Sequence, residues 1–434
     1  MAEISKLKCR ECARTYDVAP IHVCEFCFGP LEADYDYEAI DRDISREQIA
    51  SGPRSIWRYV DLLPVSADTP RIDLGAGFTP LVPAPRLGAE LGISDLWLKN
   101  DTVNPTFSFK DRVVSVALTK AREFGLKVAA AGTTGNLGNA VAAHAAKAGM
   151  PAVVFMPADL EAGKVVTTAV YGATIVAIKG NYDEVNRLCA EIADAYSWAF
   201  VNTNVRAFYS EGSKTLAFEV VEQLGWRYPE HVVVPIGSGS QLVKVRKGFD
   251  ELYKVGLMSA EPHTKVHGAQ ALGCSPVAEA FLNGVDHVRP QKPDTIAKSI
   301  AIGNPADGHY ALQAIKQTGG RADTVTEEEI VESILLLART EGIFTETAGG
   351  VTVGVLAKLA AARAFAPGER VVAMITGMGL KTLEAVSGRA KPAVTITPTM
   401  DEFQEKIDLG LIPNGSTTSD ARSAALSEKR KAES

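Results

Sequence analysis

Residues 104–112 read NPTFSFKDR, and the lysine at 110 is the side chain there with the most reactive chemistry. It follows two phenylalanines, Phe107 and Phe109, and precedes an apolar face (Val114, Leu118, Ala121) that stops near Gly125. That spacing predicts a helix with Lys110 in its first turn. Ser108 and Asp111 match the S-x-x-[DE] pattern of a capping box. The positive potential of a helix N-terminus disfavours an ammonium. Packing beside two phenyl rings acts the same way, lowering the amine from its ordinary pKa of about 10.4. An uncharged lysine amine is the nucleophile that a Schiff base requires. The alternative is a lysine that snorkels from a helix start into water.

Two further stretches offer anion sites. GTTGN, Gly132 to Asn136, lies between an expected strand and an expected helix, where free backbone N–H groups can hold an anion. Thr133, Thr134 and Asn136 add side-chain donors. PIGSGSQ, Pro235 to Gln241, repeats the layout with Gly237, Ser238, Gly239 and Ser240. Small residues there let the backbone close around a phosphate. Taken singly, each stretch also fits a plain turn. ITGMGLKT adds Thr376, whose hydroxyl suits a ring nitrogen. No G-x4-GK[ST] phosphate loop is present, and GSGSQL fails the dinucleotide pattern because Leu242 replaces its last glycine.

Cys9, Cys12, Cys24 and Cys27 form a C-x2-C…C-x2-C arrangement, which in a cytosolic chain reads as a structural zinc site. An ion there substitutes for a core that some thirty residues cannot build, and Phe26 and Phe28 are expected to pack beneath it. The alternative is a redox-labile thiol cluster or a site that no longer holds metal. Four thiolates leave no open position for catalysis. Cys189 and Cys274 stand alone and read as packing residues. His22, near Cys24, is a rival ligand, and no histidine is assigned to chemistry.

The elements that must position these residues alternate along the chain. KVAAAG, PAVVFMP, TIVAIKG, WAFVN, HVVVPIG, KVHGAQA and RVVAMITG are apolar runs suited to strands covered on both faces. Between them run amphipathic segments, among them NAVAAHAAKAG, YDEVNRLCAEIADAYS, QLVKVRKGFDELYK and GGVTVGVLAKLAAARAF. The pattern predicts an α/β protein with two doubly wound open sheets. The 434 residues suffice for two or three domains, and 45 basic against 52 acidic residues give a net charge of −7. That balance argues against nucleic acid or an anionic membrane as the main partner. No run approaches the roughly 20 apolar residues of a membrane span, and MAEISKLKCR lacks an apolar signal core. The expected location is cytoplasmic.

NPTFSFKDR, GTTGN, YGATIVAIKG, SEGSKTLAFEVVEQLG, PIGSGS, AIGNPADG, EGIFTETAGGVT and TGMGLKT, in this order from about Gly77 to Lys381, together resemble the threonine synthase family of fold-type II pyridoxal-phosphate (PLP) enzymes. The cysteine-pair start resembles many of its members too. The resemblance implies a tryptophan synthase β-like fold with a zinc-ribbon-like segment over 1–45. A large PLP-binding domain would be built from 46–110 and 205–392, and a small α/β domain from 111–204. The extension 393–434 is Ser-, Ala-, Lys- and Glu-rich, and is expected to be disordered towards its end. The resemblance further implies that Lys110 carries PLP and shuttles protons, that Asn136 bonds the ring hydroxyl, that Gly237 to Ser240 hold the phosphate and that Thr376 faces the pyridine nitrogen.

The family converts O-phospho-L-homoserine and water to L-threonine and phosphate. Implied carboxylate contacts are Thr133 and Thr134. For the substrate phosphate, VNTNVR offers Asn202, Thr203, Asn204 and Arg206, with Lys214 as a weaker candidate. Arg suits phosphate because its fork bonds two oxygens. Three departures bear on substrate identity: Phe107 where a small residue is usual, Leu137 where a threonine is usual, and NTNVRAFYSEG in place of NSVNP-x-R with its Arg displaced. The alternatives are therefore a cysteate synthase-like enzyme acting on O-phosphoserine, or a serine/threonine dehydratase. A non-catalytic sensor would not need the whole constellation around Lys110. A homodimer is the family-level expectation.

Overall fold

Apolar strands without polar alternation need cover on both faces, and helices supply it on each side of two open sheets. The computed structural model describes residues 4–406 apart from Ala67, Thr134, Glu161, Asn181, Lys391 and Ala393. The chain forms two units, residues 1–385 and 386–434. All candidate site residues lie in the first. The expected C-terminal disorder falls on positions outside the described residues. Among the described residues no helix is long and apolar enough to cross a membrane.

Three sheets organise the first unit. β1 (Ile4–Cys9), β2 (Thr15–Tyr16) and β3 (Leu31–Tyr35) form an antiparallel ribbon in the order β2-β1-β3. β4 (Leu81–Pro83), β5 (Asp95–Asn100), β10 (His231–Pro235), β11 (Lys265–Ala271), β12 (Ala322–Val325) and β13 (Arg370–Ile375) form a six-stranded sheet. Its order is β12-β11-β10-β13-β5-β4, parallel except for the edge strand β4. β6 (Ala129–Gly132), β7 (Ala152–Pro157), β8 (Thr174–Ile178) and β9 (Ala199–Phe200) form a parallel sheet in the order β8-β7-β6-β9.

Packing explains the less obvious strands. β6 is AAAG, weak by propensity, yet every residue of it is buried. Its small side chains let the helix Tyr182–Ala195 close on the sheet, so that a β-carbon on Gly132 would stand only 3.0 Å from Cys189 Sγ. The larger core joins Val232, Val234, Val372 and Met374 of the six-stranded sheet to Phe218, Leu242 and Phe249 of its covering helices. Each such buried side chain contributes roughly 1.5–3 kcal/mol.

The ribbon corrects one expectation. Phe26 and Phe28 are 62% and 78% exposed rather than packed beneath the cysteines. Arg14 stacks over Phe26, 3.7 Å from its ring centroid. Cys189 and Cys274 are buried, as the sequence indicates.

Candidate active site

The carboxyl ends of neighbouring parallel strands are where open α/β sheets bind ligands, and three adjacent strands converge here. β10 ends at Pro235 and turns through Gly237 to Gly239 into the helix Ser240–Lys254. β13, its neighbour, ends at Ile375, immediately before Thr376. β5, the next strand, leads through the turn Asp101–Val103 to Lys110. The Phe109 N–H donates to the Thr376 carbonyl at 2.9 Å, tying the last two arrivals together.

Lys110 is the first residue of the helix Lys110–Glu123. The expected capping box does not form. Phe109 occupies the cap without a side-chain bond. The Asp111 carboxylate reaches back instead, accepting from the Thr106 N–H and hydroxyl, both at 2.8 Å. The turn so pinned puts Phe107 at φ +61° and leaves it half exposed, so only Phe109 supports the amine. Nζ lies 4.5 Å from the Phe109 ring centroid and 3.3 Å from Tyr209 Oη. Burial pushes the amine below the usual lysine range, with Tyr182 and Glu346 opposing. Among the described residues no carboxylate forms an ion pair with it.

One cavity is lined by Lys110, Asn136, Gly237, Ser238, Gly239, Ser240 and Thr376, together with Phe109, Tyr209, Ser213, Gln241, Ser299, Ile300 and Glu346. Of the second group, only Phe109 is expected from the sequence; the others escaped the sequence reading. Asn136 opens its helix, and its amide nitrogen donates to both oxygens of Glu346 at 2.8 and 2.9 Å. Gly239, at φ +89°, caps the Ser240 helix without a side-chain bond. A β-carbon there would lie 2.7 Å from the Asp307 carbonyl oxygen, so the loop closes only around glycine. Lys381, of the GLKT stretch, donates to Asn139 Oδ1 at 2.9 Å, and burial lowers its pKa to about 8.

The expected substrate contacts scatter more. Thr133 is buried one turn from Asn136, its hydroxyl accepting from the Gly135 N–H at 3.0 Å. Thr134 lies outside the described residues. Asn202 donates to the Gly132 carbonyl at 3.1 Å, beside the Tyr182 phenol. Thr203 and Asn204 shape the turn before the short helix Arg206–Tyr209: the Arg206 N–H donates to the Thr203 carbonyl, and Asn204 Nδ2 to that of Trp198. Arg206 pairs with Asp307, which Arg10 of the ribbon also meets at 3.3 Å. The Asp307 N–H donates to the Ser238 carbonyl at 2.8 Å, so this ion pair abuts the glycine loop. Lys214 does not join them. It is wholly buried between Glu211 and Glu251, at 2.6 and 2.8 Å, and is absent from the cavity wall.

In the ribbon, the four sulfurs of Cys9, Cys12, Cys24 and Cys27 lie within 4.8 Å of one another. Cys9 and Cys27 are 3.4 Å apart, and Cys12 and Cys24 3.6 Å. Tetrahedral zinc with bonds of about 2.3 Å sets its sulfurs about 3.8 Å apart, so the cluster fits that ion. His22 is not part of it.

Fold and cavity define the class. The sequence profile of the family described as "Pyridoxal-phosphate dependent enzyme" matches residues 72–377. Among solved structures, the diaminopropionate ammonia lyase of Escherichia coli aligns with a TM-score of 0.62 at 20% identity, over 73% of this chain and 90% of that one. A threonine deaminase isoform of Solanum lycopersicum gives 0.60 at 21%, over 71% and 82%. At those identities the likeness concerns the fold alone. The curated relatives are closer: the threonine synthase of Methanocaldococcus jannaschii is 39% identical over 392 residues, 90% of this chain and 96% of that protein. The threonine synthase of Methanosarcina acetivorans is 36% identical over 404 residues, 92% and 98%. The chain belongs to the threonine synthase family of PLP-dependent enzymes.

The cavity fits that cofactor. Three polar atoms on its wall are buried without a partner: Asn136 Oδ1, Gln241 Nε2 and Ser299 Oγ. Asn136 Oδ1 can accept from a ring hydroxyl. The uncapped N-terminus of the Ser240 helix suits a phosphate, and Gln241 Nε2 adds a donor that sequence reading missed.

Proposed function

We propose that the chain is a PLP-dependent lyase that makes L-threonine and phosphate from O-phospho-L-homoserine and water, the closing step of threonine biosynthesis. The observation that carries this is the convergence of Lys110, Asn136, Gly237 to Ser240 and Thr376 on one cavity, in a chain 39% identical to a threonine synthase along nearly its whole length. PLP, when bound, supplies the electron sink for carbanion character at the substrate. Lys110 would anchor it, Asn136 would meet its ring hydroxyl, the glycine–serine loop and Gln241 its phosphate, and Thr376 its ring nitrogen.

Lys110 does the proton work. Desolvated and without a carboxylate partner, its amine is uncharged at a pH where an ordinary lysine is not. Its amine would take the Cα proton of the substrate and later return one. The strand ends would hold the amine in place for that transfer. Arg206, beside the glycine loop, would leave Asp307 for the substrate phosphate. Thr133 and Asn202 flank the Asn136 end, where the carboxylate would rest.

We also propose that Cys9, Cys12, Cys24 and Cys27 hold a structural zinc ion, and that the six- and four-stranded sheets mark the large (46–110, 205–392) and small (111–204) domains. A cytoplasmic homodimer is the assembly we propose, with sedimentation at twice the chain mass as the expected result. One zinc per chain by elemental analysis, lost in Cys12→Ser, is expected; a metal-free native protein would contradict the zinc site. The function is tested by offering PLP-loaded protein O-phosphohomoserine and, separately, O-phosphoserine with sulfite. Threonine with equimolar phosphate from the first supports the reading. Turnover of only the second would reassign the substrate and retain the site.

A further inference from the structure

We propose that Tyr209 is a catalytic partner of Lys110, its phenolic oxygen alternately donating to and accepting from the amine as Lys110 exchanges a proton with the substrate. The inference rests on the reading of Lys110 as the reacting amine. Nζ stands 3.3 Å from Tyr209 Oη. No other hydrogen-bond partner contacts that amine among the described residues.

The contact is built. Tyr209 ends the short helix Arg206–Tyr209 and is 9% exposed. The turn that follows is pressed onto the lysine's own helix: a β-carbon on Gly212 would lie 2.6 Å from the Arg112 carbonyl oxygen and 2.7 Å from Val113 Cα. Only glycine permits that approach, and the approach holds the phenol at the amine.

The proton accounting closes without an outside reagent. When Lys110 is neutral, the phenol O–H donates to the Nζ lone pair. When the amine has taken the Cα proton, an ammonium N–H donates to an Oη lone pair, and the hydroxyl hydrogen turns away. The phenol keeps its proton throughout: burial raises its pKa, with Arg206 opposing. Tyr182 and Glu346 are the other titratable groups acting on Lys110. Glu346 is already engaged by Asn136, and Tyr182 by Asn186 and Asn202.

The test uses Cα-proton exchange, so that its failure is separable from failure of the substrate assignment. PLP-loaded wild type, Tyr209→Phe and Tyr182→Phe are incubated in D2O with L-2-aminobutyrate, which has no leaving group, across a pH series. We expect exchange in Tyr209→Phe to fall tenfold or more, with the visible absorbance of lysine-bound PLP unchanged. Its acidic limb should move to lower pH, because the ammonium loses its acceptor, and Tyr182→Phe should change less. Site-specific replacement of Tyr209 by 3-fluorotyrosine, which preserves the fold, should also move the limb. Wild-type exchange with an unmoved limb in both Tyr209 variants would overturn the proposal. So would loss of the PLP absorbance in both, since Tyr209 would then hold the cofactor rather than a proton.

Discussion

Lys110 and Arg112 leave the same helical turn two residues apart, and the carboxylates around them are distributed unequally. Arg112 Nε meets Asp101 at 2.7 Å, and Nη2 meets Asp101 at 2.8 Å and Glu219 at 2.9 Å. Lys99 meets Glu219 at 2.6 Å, so two cations face two anions with no net charge. Arg112 Nη1 also donates to Glu219, and Thr79 and Thr215 accept further guanidinium bonds. Lys110 has one phenol, and Glu346, the carboxylate that acts on it, is occupied by Asn136. Burying an ion costs several kcal/mol unless pairing offsets it. Pairing favours the charged form here: Arg112 is raised above the usual arginine range and Glu219 is held down at about 2, although burial still lowers Lys99. Lys110 lacks that offset, and burial lowers its amine below the usual lysine range. One helix start thus sets a paired, buried guanidinium beside a desolvated amine that has no carboxylate ion pair among the described residues.

Four substitutions or conditions would break or sharpen that contrast. Lys110→Ala should cut turnover by more than the ~10²–10⁴-fold typical of losing a general base. Its urea midpoint should stay near wild type, since no ion pair is lost. Arg112→Ala should do the reverse and lower the unfolding free energy by about 3–5 kcal/mol, read from urea titration. Two carboxylates and Lys99 would be left unbalanced. Arg206→Ala should raise KM for a phosphorylated substrate ~10–100-fold with kcat little altered, the value of a hydrogen bond to a charged group being about 1.5–3 kcal/mol. The smallest effect is on pH. Glu219 is depressed on folding, so its contribution is complete above its unfolded pKa near 4.5 and is lost as pH falls towards about 2. His267, buried and pushed down to about 3, acts in the same direction: the unfolded chain gains the proton first, and stability declines below about 6.5. Unfolding at pH 7, 5 and 3 should show this decline, and Glu219→Gln should flatten its lower part.

What was legible in the sequence follows from the range of the interactions involved. The strands from β6 to β9 and their helices were readable, because apolar runs and amphipathic spacing are local. The glycine–serine loop and GTTGN were readable for the same reason: each is a strand end, a turn and a helix start within ten residues. Tyr209, Gln241, Ser299 and Glu346 were not, since their place on the cavity wall depends on where separate strands finish. Asp307 is 101 residues from Arg206 and 297 from Arg10, so neither pairing has a local signature. The capping box failed for a physical reason, Asp111 being better satisfied by two donors from Thr106. Lys214 resembled a ligand-binding lysine only while Glu251, 37 residues away, was out of view. Phe26 and Phe28 misled because an apolar residue beside a metal knuckle reads as core, although the ribbon is too thin to bury it.

The central claim is that the amine at residue 110, left without a carboxylate, is the one that bears the cofactor. It is tested most directly by reducing the PLP-loaded protein with borohydride and mapping the pyridoxyl group by peptide mass spectrometry. The account predicts the label on Lys110 alone, in the NPTFSFKDR segment. A label on Lys164, Lys381 or any other lysine, with Lys110 unmodified, would contradict it.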